Sequence, residues 1–157
     1  MKLYMKQKVF SFVDSFTIKD AEGNDRWQVE GELLSLDHSL HILDMNGNEV
    51  ALVKKKIFSL FPKFFIYINN IEMTQLVKEF TLFSQSYYLE GTSWALKGDF
   101  LSHDYTLSDD YRSIMNITKE WFTWGDSYML DISEPKDELM CLCIVLAVDC
   151  ANEQSRR

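Results

Sequence analysis

Between Glu138 and Asp149 lie ten residues, 139–148, with no charge, amide or glycine among them. Just upstream, Ser133, Glu134 and Pro135 supply helix-start chemistry. Ser or Glu can cap, Pro is tolerated in a first turn, and Asp137 and Glu138 suit the positive end of the helix dipole. The pattern predicts a helix with no polar side, and a helix that is apolar all round has to be enclosed on every side. Ten residues rise only about 15 Å, half of the roughly 30 Å hydrocarbon core of a bilayer. The enclosing material is therefore expected to be the protein's own strands and not lipid.

The front of the chain repeats with a spacing of 24 residues, seen at Ser11, Ser35 and Ser59. Matching positions are Val9, Leu33 and Ile57; Phe10, Leu34 and Phe58; Phe16, Leu40 and Phe64; and Ile18, Ile42 and Ile66. Two units share a turn, Asp20-Ala21-Glu22-Gly23-Asn24 and Asp44-Met45-Asn46-Gly47-Asn48, where a leading Asp and a closing Gly suit a type I turn with a bulge. Each unit reads as strand, turn, strand. Alternation agrees: Trp27, Val29 and Leu33 point one way while Arg26, Gln28, Glu30 and Glu32 point the other.

Further segments fit the strand template at 63–69, 72–83, 86–90, 93–100, 104–107, 111–118 and 127–132. That makes roughly a dozen short strands in one small domain. An open sheet so wide leaves costly edges and an uncovered apolar face, so it is expected to close. A barrel of that width is too wide to fill with its own side chains, as eight strands can, and the apolar helix is the candidate filling. Its ten residues at about 1.5–3 kcal/mol each give roughly 15–30 kcal/mol of gross burial before entropy is set against it.

The Phe10-Ser11 and Phe58-Ser59 steps, the two Asp-x-x-Gly-Asn hairpins and the closing apolar helix resemble the LURP-one-related family. That family is grouped with Tubby C-terminal domains and phospholipid scramblases. The resemblance implies a mainly β fold, a twelve-stranded closed antiparallel barrel around a hydrophobic C-terminal helix, as one domain over residues 1–157. Tubby domains bind phosphoinositides through an external Lys and Arg cluster, and scramblases are linked to lipids and calcium. The resemblance thus implies a fold and an expectation of lipid, while the residues themselves offer no catalytic motif and no cofactor is expected.

Net charge is −8, but residues 1–63 balance nine Lys and Arg against nine Asp and Glu, while 64–157 hold seven against fifteen. That is not the basic footprint of a nucleic-acid binder, so no nucleic-acid partner is expected, and the overall field repels anionic membranes too. Residues 1–12 are interrupted by Lys2, Lys6, Gln7 and Lys8 and lack a signal-peptide core. A cytoplasmic protein is expected. Cys141, Cys143 and Cys150 cluster in or beside the closing helix, and those two residues apart point to nearly opposite faces. They are expected as buried free thiols and not as metal ligands.

The strongest local charge is Lys54-Lys55-Lys56, with Lys63 nearby and Lys6 and Lys8 on the first strand. Lys6, Lys8, Lys54, Lys56 and Lys63 are candidates for binding an anionic lipid headgroup or a phosphate. Against this, the 24-residue spacing sets Lys6 level with Glu30 and Lys54, and Lys8 level with Glu32 and Lys56, so the charges are expected to pair as a ladder across the wet face. Lys55 falls in the inward phase through Ala51, Val53 and Ile57. A bulge resetting that phase is expected, with a buried functional amine the alternative.

His38, His41 and His103 show no metal spacing and are expected as exposed turn residues. Asp37, Asp44 and Asp104 lie close in sequence to those histidines, but no Ser or Cys sits in a nucleophile motif. Asp44-x-Asn46-Gly47-Asn48 is similar to a calcium loop, yet Lys55 stands where the closing Glu belongs, so a hairpin turn is expected. Asp109, Asp110 and Asp126 are expected as solvated loop acids, with a cation site the alternative. Trp121-Phe122-Thr123-Trp124-Gly125 is expected as a buried plug in the barrel rim, with an exposed interfacial anchor or partner hot spot the alternative. Without a Gly-rich phosphate cradle, placeable catalytic carboxylates or a dinucleotide fingerprint, a non-catalytic binding module is expected, for a lipid or phosphate headgroup or for a protein partner.

Overall fold

The computed structural model describes residues 1–6, 15–31, 38–80, 84–122 and 125–155. Among them run twelve strands and one long helix. The strands are β1 (Lys2–Lys6), β2 (Ser15–Asp20), β3 (Asp25–Gly31), β4 (Ser39–Leu43), β5 (Glu49–Lys55) and β6 (Lys63–Ile68). They continue with β7 (Ile71–Phe80), β8 (Gln85–Leu89), β9 (Ala95–Asp99), β10 (Asp104–Ser108), β11 (Ser113–Phe122) and β12 (Gly125–Ile132), before α1 (Glu138–Ser155). Consecutive strands pair antiparallel, and β1 pairs with β12 from Lys2–Asp131 to Lys6–Ser127. The sheet is a closed barrel, and closure removes the edges that an open sheet exposes.

The 24-residue repeat corresponds to one hairpin. Ile18, Ile42 and Ile66 are all fully buried, and Leu40 and Phe64 are buried one turn of alternation earlier. Gly23 and Gly47 both have φ of 84°, a conformation that favours glycine, and each lies beside a register shift in its hairpin. The Asp44 carboxylate accepts the Asn46 and Asn48 amides at 2.9 Å each, so it shapes the turn as the sequence predicts. The third unit turns more tightly, through Asn69 and Asn70 at φ of 50° and 64°. Two positive φ values in succession suit the twist of a two-residue hairpin.

The helix fills the barrel. Every residue from Cys141 to Asn152 is buried, and α1 runs closest to β5 and β6. It begins after a 3-10 turn, Pro135–Asp137, with Pro leading. Neither expected cap serves: Glu134 makes no capping bond because Arg112 and Lys136 hold its carboxylate, and Ser133 donates its hydroxyl to the Ser113 carbonyl. The start is secured by Glu138, which accepts two bonds from the Arg26 guanidinium at 2.9 Å and one from Trp27 Nε1 at 2.8 Å. The helix also outruns the apolar stretch, passing through Asp149 to Ser155. A buried acid does not end it because Asp149 has partners on the barrel wall, described below.

This arrangement gives the barrel two distinct mouths. At the entry end, where α1 starts, lie the turns 20–24 and 44–48 and the Asp109–Arg112 connection. At the exit end, where α1 finishes, lie residues 56–62 between β5 and β6, the turn 100–103, and the finishing residues of β1 and β7.

Candidate binding face at the exit end of the barrel

Alternation decides which lysines share a face. In β5 and β6, Ala51, Val53, Phe64 and Ile66 are buried, so Lys54, Lys63 and Phe65 occupy the outward phase. Lys54 and Phe65 are direct cross-strand partners. The Lys56 ammonium lies 5.9 Å from the Phe65 ring centroid, at cation–π distance. Lys63 stands two residues before Phe65 on the same strand, and its Nζ is 4.0 Å from the exposed Glu90 carboxylate, a contact of the weak surface kind. Lys54 and Lys56 therefore lie about the Phe65 ring, while Lys63 shares the same outer face with its ammonium turned to Glu90.

Lys6 does not join them. It is exposed at the end of β1, opposite Ser127, and β1 is four strand steps from β5, about 19 Å around the wall. Lys8 lies outside the described residues.

For Lys6, Glu30 and Lys54 the register corrects the expected charge ladder; of the other set, Lys8 and Glu32 fall outside the described residues. Glu30 pairs with Ser15 and His41, and Lys54 with Ser39 and Phe65. A repeat unit contains two strands, so equivalent residues of successive units sit two strands apart, about 10 Å, with a strand between them. Lys6, Glu30 and Lys54 are aligned by the repeat without being neighbours.

Lys55 also departs from expectation. The β5 register runs unbroken from Ala51 to Lys55 against β6 and from Ala51 to Lys54 against β4, with the register shift earlier, where Leu43 pairs with Glu49 and Val50 is passed over. Lys55 thus keeps the inward phase opposite Phe64 at the rim, close enough to the helix to act electrostatically on the Cys150 thiol.

Beyond the lysines the chain makes an exposed apolar tip. The Lys56 amide donates to the Lys63 carbonyl at 2.8 Å, closing the base of the connection, and the Lys78 amide donates to the Pro62 carbonyl at 3.0 Å, fixing its root to β7. Within this frame Phe58 is 102% and Leu60 90% exposed, with Ile57 and Phe61 above 40%. Phe61 meets the half-exposed Phe80 at a ring distance of 5.8 Å. From Ala51 to Ile71 the sequence holds four lysines and no acid. That bias, flanking an Ile-Phe-Ser-Leu-Phe-Pro segment, was the available sequence signal for this face. Aligning Ile57 and Phe58 with the repeated apolar positions concealed it.

Inside the same mouth lies a polar cluster. Asp149, 5% exposed, has His103 Nε2 at 3.1 Å from one carboxylate oxygen and receives the Tyr128 hydroxyl on the other. The His103 and Tyr128 rings stack at 4.3 Å. The Tyr87 and Tyr105 hydroxyls and His103 Nδ1 are buried with no hydrogen-bond partner among the described residues. Burial first, and the nearby Asp149 charge second, push all three tyrosines above the ordinary phenol range. Asn152 donates to the Phe100 carbonyl at 2.9 Å. Lys78 completes the lining: it is 3% exposed, with its ammonium 4.9 Å and 5.7 Å from the Phe80 and Tyr87 ring centroids, and desolvation lowers its pKa.

The histidine expectation is therefore overturned in part. His103 does sit in a turn, at φ of 54°, but it is buried because Asp149 needs a donor there. His41 lies on β4 against Glu49, and His38 is half-buried at φ of 34°. Among the described residues no three His, Cys, Asp or Glu side chains form a metal cluster. Asp109 caps its own turn and pairs with Arg112 at the entry end, while Asp126 belongs to the exit end of β12, so those acids do not converge. All three cysteines are buried and unpaired, with thiols pushed up to about 12 by burial. Of the aromatic stretch, β11 carries the backbone to Phe122, and Thr123 and Trp124 lie outside the described residues. An open groove of about 650 Å³ runs along Gln85, Ser86, Lys97 and Phe100, but its acid, Asp99, is bound to the Leu101 and Ser102 amides and the Ser102 hydroxyl.

An antiparallel barrel closed at twelve strands and threaded by an apolar helix defines a helix-filled barrel scaffold, here with a basic, apolar-tipped hairpin at one mouth. The chain belongs to the LURP-one-related family, whose model matches residues 1–149. It is 34% identical over 149 residues to the uncharacterized protein YxjI of Bacillus subtilis (strain 168), covering 95% of this chain and 92% of that relative. An X-ray structure of a protein from Arabidopsis thaliana shares the fold at a TM-score of 0.61 and 10% identity, over 99% of this chain and 92% of that one. No helix among the described residues is long and apolar enough to cross a membrane.

Proposed function

We propose that this protein is a non-catalytic binding module for a phosphorylated or otherwise anionic headgroup, held by Lys54, Lys56 and Lys63. The observation that carries the reading is the placing of these lysines on one outer face beside Phe65, in a stretch, 51–71, that holds no acid. Each lysine near an anionic surface contributes about 1 kcal/mol, which the overall charge of −8 opposes. Binding is accordingly weak and falls with salt. Three buried thiols without disulfides fit a cytoplasmic setting, where the facing leaflet is anionic.

A protein-interaction module on the same scaffold is the competing reading, favoured by the exposed Phe58 and Leu60. Cosedimentation separates the two, using phosphatidylcholine vesicles with and without phosphatidylserine at low and physiological salt. The headgroup reading expects pelleting with anionic vesicles alone, reduced by salt and abolished in Lys54→Glu/Lys56→Glu. A competing arm with inorganic phosphate tells a free anion from a lipid surface. Binding unchanged by the double substitution removes these lysines as the site.

A further inference from the structure

We infer that the tip of the β5–β6 connection, Ile57, Phe58, Leu60 and Phe61, inserts into the interfacial layer of an anionic bilayer while Lys54, Lys56 and Lys63 meet its headgroups. This rests on the headgroup reading above and adds the source of the anion: a lipid surface in place of a soluble phosphate.

Exposure is the first ground. Side chains as exposed as Phe58 and Leu60 protrude, and a protrusion of large apolar groups marks an interaction site. A fluid bilayer moulds itself around such a tip, where a protein partner needs a matching pocket. The second ground is backbone geometry. Phe58 has φ of 58°, a left-handed conformation that is costly for a bulky residue, and strain of this kind concentrates at functional positions. The Lys56–Lys63 and Lys78–Pro62 backbone bonds hold the tip on a closed base, so little ordering entropy is lost on docking.

Charge selects the occupant. Two copies meeting tip to tip would bring like-charged hairpins together, whereas an anionic surface is complementary to lysines on both flanks of the tip. Apolar residues between basic ones are the composition of interfacial anchors.

The test uses the buried native thiols, which leave an introduced exposed cysteine as the reactive one, with the unmodified chain as labelling control. Phe58→Cys carrying an environment-sensitive fluorophore is mixed with phosphatidylcholine vesicles with and without phosphatidylserine. Met45→Cys at the entry end is the comparison site. A blue shift at position 58 with anionic vesicles, and none at 45, is expected. Phe58→Ser/Leu60→Ser, both at exposed positions, should weaken vesicle binding on the order of 100-fold. Salt-sensitive, lysine-dependent binding with no blue shift at 58 and an unaffected double-serine variant overturns insertion while the headgroup reading stands. Vesicle binding absent in every protein removes both. A concentration-dependent dimer that Phe58→Ser dissolves, without vesicle binding, gives the tip to a second copy and overturns the proposal.

Discussion

Tyr128 on the last strand donates its hydroxyl to Asp149 on the central helix, where both residues are at most 5% exposed. With His103 on the other oxygen, that carboxylate lies inside the barrel wall and still has partners on two sides. Tyr128→Phe leaves one oxygen of the buried Asp149 carboxyl without its donor, His103 remaining on the other, and should cost about 1–3 kcal/mol. Tyr105→Phe removes a hydroxyl that has no partner among the described residues and should be near neutral or stabilising. Urea midpoints of the two variants check this, and an equal loss in both would remove the distinction.

Lys78 gives the pH prediction. Its folded pKa is depressed by desolvation, so between that value and 10.5 the unfolded chain binds more protons. Stability should therefore rise with pH across that window. Lys78→Met removes the desolvation penalty at the loss of two cation–π contacts, each worth up to about 2 kcal/mol for a desolvated ammonium. We expect a melting temperature at or above that of the parent, and a flatter stability profile on the alkaline side. Melting scans from neutral to alkaline pH decide, and a large loss of stability at neutral pH would contradict the reading.

Gly47 sits at φ of 84° with nothing within 4 Å of where a Cβ would stand, so strain alone governs substitution there. Gly47→Val should destabilise by about 1 kcal/mol or more, and Gly47→Asn by less, because Asn tolerates the left-handed region. Thermal melts showing the two variants to be equal would remove the bulged-turn account.

The three thiols should resist a thiol reagent at neutral pH in the folded protein and react fully after denaturation, since burial raises them to about 12. Mass spectrometry counts the labels. Rapid native labelling of Cys143 would mean that the helix leaves the barrel readily.

Strictly periodic features were legible in the sequence. The apolar run, the strand alternation and the two Asp-led turns each follow from local chemistry, and together they require a closed barrel around a helix. Features that depend on which strands become neighbours were not legible. The repeat aligned Lys6, Glu30 and Lys54 but could not say that a whole strand separates each from the next. His103 and Asp149 are 46 residues apart, and an acid after an apolar run reads as its end unless its partner is known. Ile57 and Phe58 fit the apolar repeat, so their exposure appears only once the base of the loop is seen to close at Lys56 and Lys63.

On the proposed function, the helix-filled barrel is a scaffold and the basic, apolar-tipped hairpin is its working part. Hydrogen–deuterium exchange with and without phosphatidylserine-containing vesicles tests this most directly. Slowed exchange is expected in the peptide spanning residues 54–63, with the entry-end turns 20–24 and 44–48 unchanged. Protection at those turns, or vesicle binding that leaves 54–63 exchanging as in the free protein, would contradict it.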